Sequence, residues 1–388
     1  MNLYPHQQKF IDDNPKSAIL CWETGTGKSH GGRLWLKMNG RDKNAVITCP
    51  KQITKDWEGA GTVYSFEQFK KAAKLGGLPS NPTAIVVDEA DMMASPLFEA
   101  KKRSQRTEAL YTYIMENPQA DILLLTATPV RSSPANMHTL LVLSRIKPAT
   151  KECWLRYRDI YYALTNMPYL PRPAWLPKIG WQRMMPKLID KYTYTALMQD
   201  IVDLPPETHD IIKLKAPNYE ENTEWEPAKQ FAEDHRLEQS GKDKEIKSLS
   251  RGYRKVVVVC KYTEQIRELH KSLSKERETF VLDGRTRDVD QTIADAEASS
   301  ECYIIVQAQV AAGFELPSFA VMIFASMSYG ARDYTQMKGR VKRINALKPL
   351  RYFYLQAGRC DKMVYDSVKK GETFIPSSYL RKAAKEDE

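Results

Sequence analysis

This chain of 388 residues predicts an α/β protein with two parallel-sheet lobes and a helical insertion between them. Two observations carry that expectation. Short apolar runs alternate with helical patterns in two separate stretches, and the stretch that joins them has a composition of its own. The first stretch holds "NAVITCP" (Asn44 to Pro50), "TAIVVDEAD" (Thr83 to Asp91) and "DILLLTATP" (Asp121 to Pro129). Each run is rich in Val, Ile and Leu and stops at polar residues or proline, as a strand buried on both faces does. The second stretch holds "KVVVVCK" (Lys255 to Lys261), "TFVLDG" (Thr279 to Gly284), "CYIIVQA" (Cys302 to Ala308), "AVMIFAS" (Ala320 to Ser326) and "RYFYLQA" (Arg351 to Ala357). Helical patterns such as "YTEQIRELHKSLSK" separate them.

Between the two stretches, Lys147 to Lys187 carries Trp154, Trp175, Trp181, several tyrosines, six prolines and many basic residues. Glu220 to Lys247 is highly charged and helical in pattern. The predicted division is an amino-terminal lobe over 1–146, an insertion and linker over 147–209, and a carboxyl-terminal lobe over 210–388.

Composition excludes several classes. No run of eighteen apolar residues occurs, so neither a membrane span nor a membrane partner is expected. The start "MNLYPHQQKF" lacks the basic and apolar regions of a secretory signal. The six cysteines are scattered with no Cys-x-x-Cys pair, which argues against a zinc site or disulfide framework and for a reducing cytoplasm. A net charge of +10 points to a polyanionic partner.

The chemistry begins at "ILCWETGTGKSH" (Ile19 to His30), an apolar run opening into a helix through two glycines. Gly25 and Gly27 let backbone N–H groups approach phosphate oxygens, Lys28 supplies charge for the β/γ-phosphates, and the Ser29 hydroxyl suits Mg²⁺. Thr24 and Thr26 complete the loop. The usual first glycine of such a loop is replaced by Trp22. Downstream, Asp88 and Glu89 end a buried strand. Adjacent carboxylates there are costly without a cation, so Asp88 is assigned to Mg²⁺ and Glu89 to deprotonating the attacking water. The cofactors implied are ATP and Mg²⁺.

With these motifs in place, the chain resembles the superfamily-two helicases and translocases. "LYPHQ" looks like the Q motif, in which Gln7 would read adenine. "TGTGKS", "DEAD" and "LTATP" resemble motifs I, II and III. "VITCPKQITKDW" and "YSFEQF" resemble motifs Ia and Ib, and "VVVVCKYTEQIREL", "QVAAGFELP" and "QMKGRVKRIN" resemble motifs IV, V and VI. The resemblance implies two RecA-like lobes and nucleic-acid-dependent ATP hydrolysis. Gly313 of motif V is assigned to the nucleotide. Arg340 and Arg343, three apart on a helix, would stabilise the charge on the transferring phosphoryl group from the facing lobe. Lys51, Ser65, Lys261 and Gln307 are the expected contacts to nucleic-acid phosphates.

A narrower resemblance, carried by "TATPVRSSPANMHTLLVLSRI", "ALMQDIVDLPPETHDIIKL" and Gln-x-x-Gly-Arg-x-x-Arg-Ile, is to the Swi/Snf-like, annealing and fork-remodelling branch. It implies duplex, forked or single-stranded DNA as partner, with RNA the alternative. A motor this small suits a phage or mobile-element genome, acting as a monomer in the host cytoplasm. Two segments keep two readings each. The tryptophan-rich insertion is either a satellite core or a surface touching DNA. "KKRSQR" (Lys101 to Arg106) is a solvated basic loop or a DNA contact.

Overall fold

The computed structural model describes residues 3–98, 104–130, 133–166, 173–201, 206–219, 226–310, 314–342, 348–374 and 376. The chain divides into two compact units, residues 1–203 and 204–388. Each is a RecA-like lobe built on its own parallel sheet.

The first unit opens with α1 (Pro5–Asp13), β1 (Ser17–Trp22), α2 (Lys28–Lys37), β2 (Ala45–Cys49), β3 (Thr62–Ser65) and α3 (Phe66–Leu75). It continues through β4 (Ala84–Asp88), α4 (Gln105–Glu116), β5 (Asp121–Thr126) and α5 (Ala135–Leu143). It closes with α6 (Lys151–Tyr161), β6 (Tyr162–Thr165), β7 (Ala174–Pro177), α7 (Met185–Tyr192) and β8 (Tyr194–Ala196). The strand order is β3-β2-β4-β5-β1-β8, and every pairing is parallel. Side chains alternate between the two faces of a strand, so successive residues feed two cores. Val46, Ile85, Val87, Ile122 and Leu124 join one. Ile47, Val86, Leu123 and Leu125 join the other. Such strands read as continuous apolar runs because both faces are covered.

The second unit runs through β9 (Glu207–Lys213), α8 (Pro227–Leu237), α9 (Asp243–Leu249), β10 (Lys255–Cys260), α10 (Thr263–Leu273), β11 (Glu278–Leu282) and α11 (Val289–Ala298). There follow β12 (Cys302–Gln307), β13 (Val321–Phe324), α12 (Ala331–Val341), β14 (Leu350–Gln356) and α13 (Arg359–Lys369). Its sheet is also parallel, in the order β11-β12-β10-β13-β14-β9. Val257, Val259, Ile304 and Val306 face one core, and Val256, Val258, Tyr303 and Ile305 the other. Among the described residues no helix is long and apolar enough to cross a membrane.

The insertion is not a separate body. Trp154, Tyr157 and Tyr161 on α6, with Met185, are buried in a core cluster of the first unit, and β8 extends the first sheet by pairing with β1. The segment also holds a β6–β7 hairpin that its helical reading did not anticipate. The linker strand β9 belongs to the second sheet from Glu207 onward. The two readings of the tryptophans therefore divide by residue: Trp154 is core, Trp181 packs against that core, and Trp175 is 40% exposed. We expect Trp154→Ala to cost about 3–5 kcal/mol, the usual cost of removing a buried ring. Thermal denaturation should show the first unit melting about 6–20 °C lower; an unchanged melting temperature would remove Trp154 from the core.

Candidate nucleotide site

Parallel α/β sheets present their functional loops at the carboxyl ends of their strands, and the first unit follows that rule. The phosphate loop follows β1, Asp88 ends β4 and Thr126 ends β5. Gly25 and Gly27 sit at φ 90° and 83°, the left-handed region that only glycine occupies without strain. A Cβ on Gly27 would stand 2.4 Å from Nε2 of Gln7, so the loop packs directly on α1. Thr26 closes the turn, its hydroxyl donating to the Glu23 carbonyl at 2.7 Å. The end of the insertion staples the same turn. The Glu23 N–H donates to the Ala196 carbonyl at 2.8 Å, and its carboxylate accepts the Met198 N–H at 2.8 Å. Sequence reasoning did not foresee this staple, since nothing in "LMQD" marks a partner for Glu23.

Lys28 opens α2 and is buried, its Nζ donating to the carbonyls of Trp22 at 2.8 Å and Glu23 at 3.3 Å. The ammonium is thereby fixed at the base of the loop. The Ser29 hydroxyl donates to Asp88 Oδ2 at 3.2 Å, which joins the loop to the end of β4. Burial, and then the neighbouring Glu89 carboxylate, push the Asp88 acid up to about 6. A buried carboxylate held this high suits a divalent cation, which would offset the cost of keeping it charged. Ser29 and Asp88 therefore fit Mg²⁺. Glu89 adopts φ 54°, ψ 47°, left-handed for a non-glycine residue. Such strain concentrates at functional positions.

Trp22 now has a physical account. Its ring is fully buried, edge-on to His6 at 4.5 Å and Phe10 at 5.8 Å, and only its carbonyl reaches Lys28. A Cβ on Gly31 would lie 2.8 Å from this ring, and one on Gly32 would lie 2.7 Å from Trp57. The Gly-Gly pair, each member costing a helix about 1 kcal/mol, makes seats for two tryptophans. Trp57 then reaches the site, its Nε1 donating to Asp88 Oδ2 at 3.0 Å. Trp57 ends the stretch that resembles motif Ia, where nothing local marks it for the site. The usable signal was the glycine pair one helical turn beyond Lys28. We expect Trp57→Phe to move the acid limb of the pH–rate profile upward by about one unit. The lost hydrogen bond stabilised the carboxylate by about 1.5 kcal/mol, and the acid must be deprotonated to hold a cation. An unmoved acid limb would show that Asp88 ionisation does not govern activity.

Gln7 is buried, its carbonyl oxygen accepting the Tyr4 N–H at 3.1 Å and its amide donating to the Thr26 carbonyl at 3.3 Å. It latches α1 to the phosphate loop. Asp91 and Thr126 were also passed over. Both are buried, and the Thr126 hydroxyl donates to Asp91 Oδ1 at 3.0 Å while accepting the Thr128 N–H at 3.0 Å. This ties the DEAD segment to the LTATP segment.

The expected nucleic-acid residues also sit at strand ends. Cys49 and Ser65 are paired across β2 and β3, so Lys51 and Ser65 share the carboxyl edge of the first sheet. Lys51 is exposed, whereas Ser65 is buried as the N-cap of α3 in a capping box with Gln68. Cys260 and Gln307 are paired across β10 and β12, so Lys261 and Gln307 share an edge of the second sheet. Lys261 Nζ lies over the Tyr329 ring, 2.8 Å from its centroid, and burial pulls the amine down to about 8. Gln307 Oε1 accepts the Gly284 N–H at 3.2 Å. Arg340 is buried within the second unit, Nη1 donating to the Phe314 carbonyl at 2.7 Å, so it braces motif V against α12. Gly313, Arg343 and the start of the "KKRSQR" run lie outside the described residues.

The second unit also gathers ligand-type atoms of His235, Glu238 and Asp361 within 4.8 Å of one another. Lys242 already supplies the cation there, 2.7 Å from Asp361. Glu238 accepts the Cys360 and Asp361 N–H groups at 2.9 and 2.7 Å, capping α13. The cluster is a structural lock.

Residues 241–345 match the helicase conserved C-terminal domain. The match lies wholly within the second unit. The chain is similar in fold to a solved structure of S. cerevisiae Dbp5 bound to Gle1 and IP6. That likeness has 12% identity and a TM-score of 0.56 and covers 95% of this chain and 86% of that one. It also aligns with the Sulfolobus solfataricus SWI2/SNF2 ATPase core in complex with dsDNA, at 14% identity and a TM-score of 0.42, covering 100% of this chain and 96% of that one. No curated protein matches the chain in sequence.

Proposed function

We propose that this protein is an ATP hydrolase of the superfamily-two helicase or translocase type, coupling turnover to movement on DNA. The observation that carries the hydrolase reading is the contact between Ser29 of the phosphate loop and Asp88 of the DEAD segment. It brings loop, lysine and carboxylates to one place. The backbone of Gly25 to Lys28 receives the phosphates, and Lys28 neutralises the β/γ charge. Ser29 and Asp88 would hold Mg²⁺, which would supply further positive charge to the phosphate oxygens. Glu89 takes the proton from the attacking water. The Asp91–Thr126 hydrogen bond gives a change at the DEAD segment a direct path to the end of β5. Arg343 is assigned the charge that offsets the transferring phosphoryl group, while Arg340 holds the Phe314 carbonyl.

The choice of DNA, and of the fork-remodelling branch, rests on the motif VI form Gln336-Met337-Lys338-Gly339-Arg340-Val341-Lys342-Arg343-Ile344, while the basic net charge suits a polyanion of either kind. The deciding experiment is steady-state ATP turnover with duplex DNA, forked DNA, single-stranded DNA and RNA at matched phosphate concentration. Strongest stimulation by duplex or forked DNA is expected. Strongest stimulation by RNA would reassign the substrate. Turnover that no nucleic acid stimulates would replace the motor with a nucleotide-gated binding module.

A further inference from the structure

The β6–β7 hairpin of the first unit takes no part in the steps above, and its surface is unusual. Leu164 and Trp175 face one another across the strands, and both are exposed. Two residues nearer the root, on the same face, Tyr162 is buried. Its hydroxyl meets that of Ser133 at 2.5 Å and accepts the Ala135 N–H at 3.2 Å. The hairpin is anchored at its base and exposed at the Leu164–Trp175 pair. Ile160 and Ile179 beside it are also exposed.

A cation lies against the partly exposed indole. The Arg158 guanidinium sits 3.7 Å from the Trp175 ring centroid and is oriented by the Asp159 carboxylate at 2.9 Å. Lys178, just past β7, donates to the Asp159 carbonyl at 2.8 Å. Among the described residues of 151–187 there are six basic side chains against two acidic ones. An apolar patch in so basic a setting selects a polyanion with flat apolar faces. In a duplex those faces are covered by neighbouring bases, so a free one is offered by a single strand.

We propose that Trp175 is a base-stacking platform for single-stranded nucleic acid, with Arg158 holding the ring and neutralising the adjacent phosphate. This rests on the reading of the chain as a nucleic-acid-dependent motor and narrows its substrate to one with an unpaired segment, such as a fork.

The test is a binding titration of labelled oligodeoxythymidylate, and of an abasic strand of equal length, to wild type, Trp175→Ala, Trp175→Phe and Arg158→Ala. Wild type should prefer the base-bearing strand by about tenfold, the scale of one base–aromatic stack. Trp175→Ala should lose that preference by weakening only the base-bearing strand, and Trp175→Phe should keep most of it. Arg158→Ala should weaken both strands and flatten the salt dependence. A preference retained in Trp175→Ala overturns the proposal and leaves the patch to a protein partner. So does a preference lost equally in the alanine and phenylalanine variants, which would mark the indole as packing. ATP turnover by wild type without nucleic acid is measured alongside. Turnover with no base preference overturns this inference alone and leaves the hydrolase reading standing.

Discussion

Lys28→Ala should lower ATP turnover by about 10³-fold, the upper scale for removing one preorganised donor from a charged transition state. The structure gives two reasons for so large an effect. The ammonium is the cation fixed at the phosphate loop, and its hydrogen bonds to the Trp22 and Glu23 carbonyls hold the end of β1 against the start of α2. Alanine removes both the charge and the tie, so nucleotide affinity should fall together with turnover. Lys28→Arg tests the fit, because a planar guanidinium cannot meet two carbonyls from the seat of a compact ammonium. Turnover in Lys28→Ala within threefold of wild type would end the phosphate-loop assignment, whatever the chain does with nucleic acid.

Glu89→Gln should separate binding from chemistry. The amide keeps the size of the side chain but cannot take a proton, so turnover should drop roughly 10²–10⁴-fold, the range for loss of a general base. Nucleotide affinity should hold or rise, because the change also removes a negative charge beside the phosphates. The same removal should lower the Asp88 acid from its raised value of about 6, since Glu89 is the second cause of that rise after burial. Asp88 would then stay ionised to lower pH, and Mg²⁺ binding by Glu89→Gln should persist to lower pH than in wild type. A combined loss of nucleotide binding and turnover would instead make Glu89 a structural residue, one whose left-handed backbone at φ 54° supports the turn after β4.

Much of this was legible in the chain because it depends on local pattern. The continuous apolar runs of β2, β4, β5, β10 and β12 announce strands covered on both faces, and Gly25 and Gly27 announce a loop that backbone geometry restricts to glycine. Weakly apolar strands did not announce themselves. β3, β8 and β9 are short or half exposed and sit at or next to a sheet edge, where packing on one side suffices. The β6–β7 hairpin was hidden among prolines and tyrosines that read as a helical insertion.

The sequence by itself determined the make-up of the candidate nucleotide site: which residues carry charge, which positions favour glycine, and which strands they end. Tertiary structure alone decided how those residues are supported. Trp57 reaches Asp88 from 31 positions away, Met198 reaches Glu23 from 175 away, and Gly31 and Gly32 matter only because two distant rings lie against them. It likewise placed Trp154 inside and Trp175 outside, although the two share one composition. The physical reason is common to all of these. A phosphate loop is specified by backbone geometry over a few consecutive residues, whereas burial and hydrogen-bond partners depend on which elements the sheet order brings side by side.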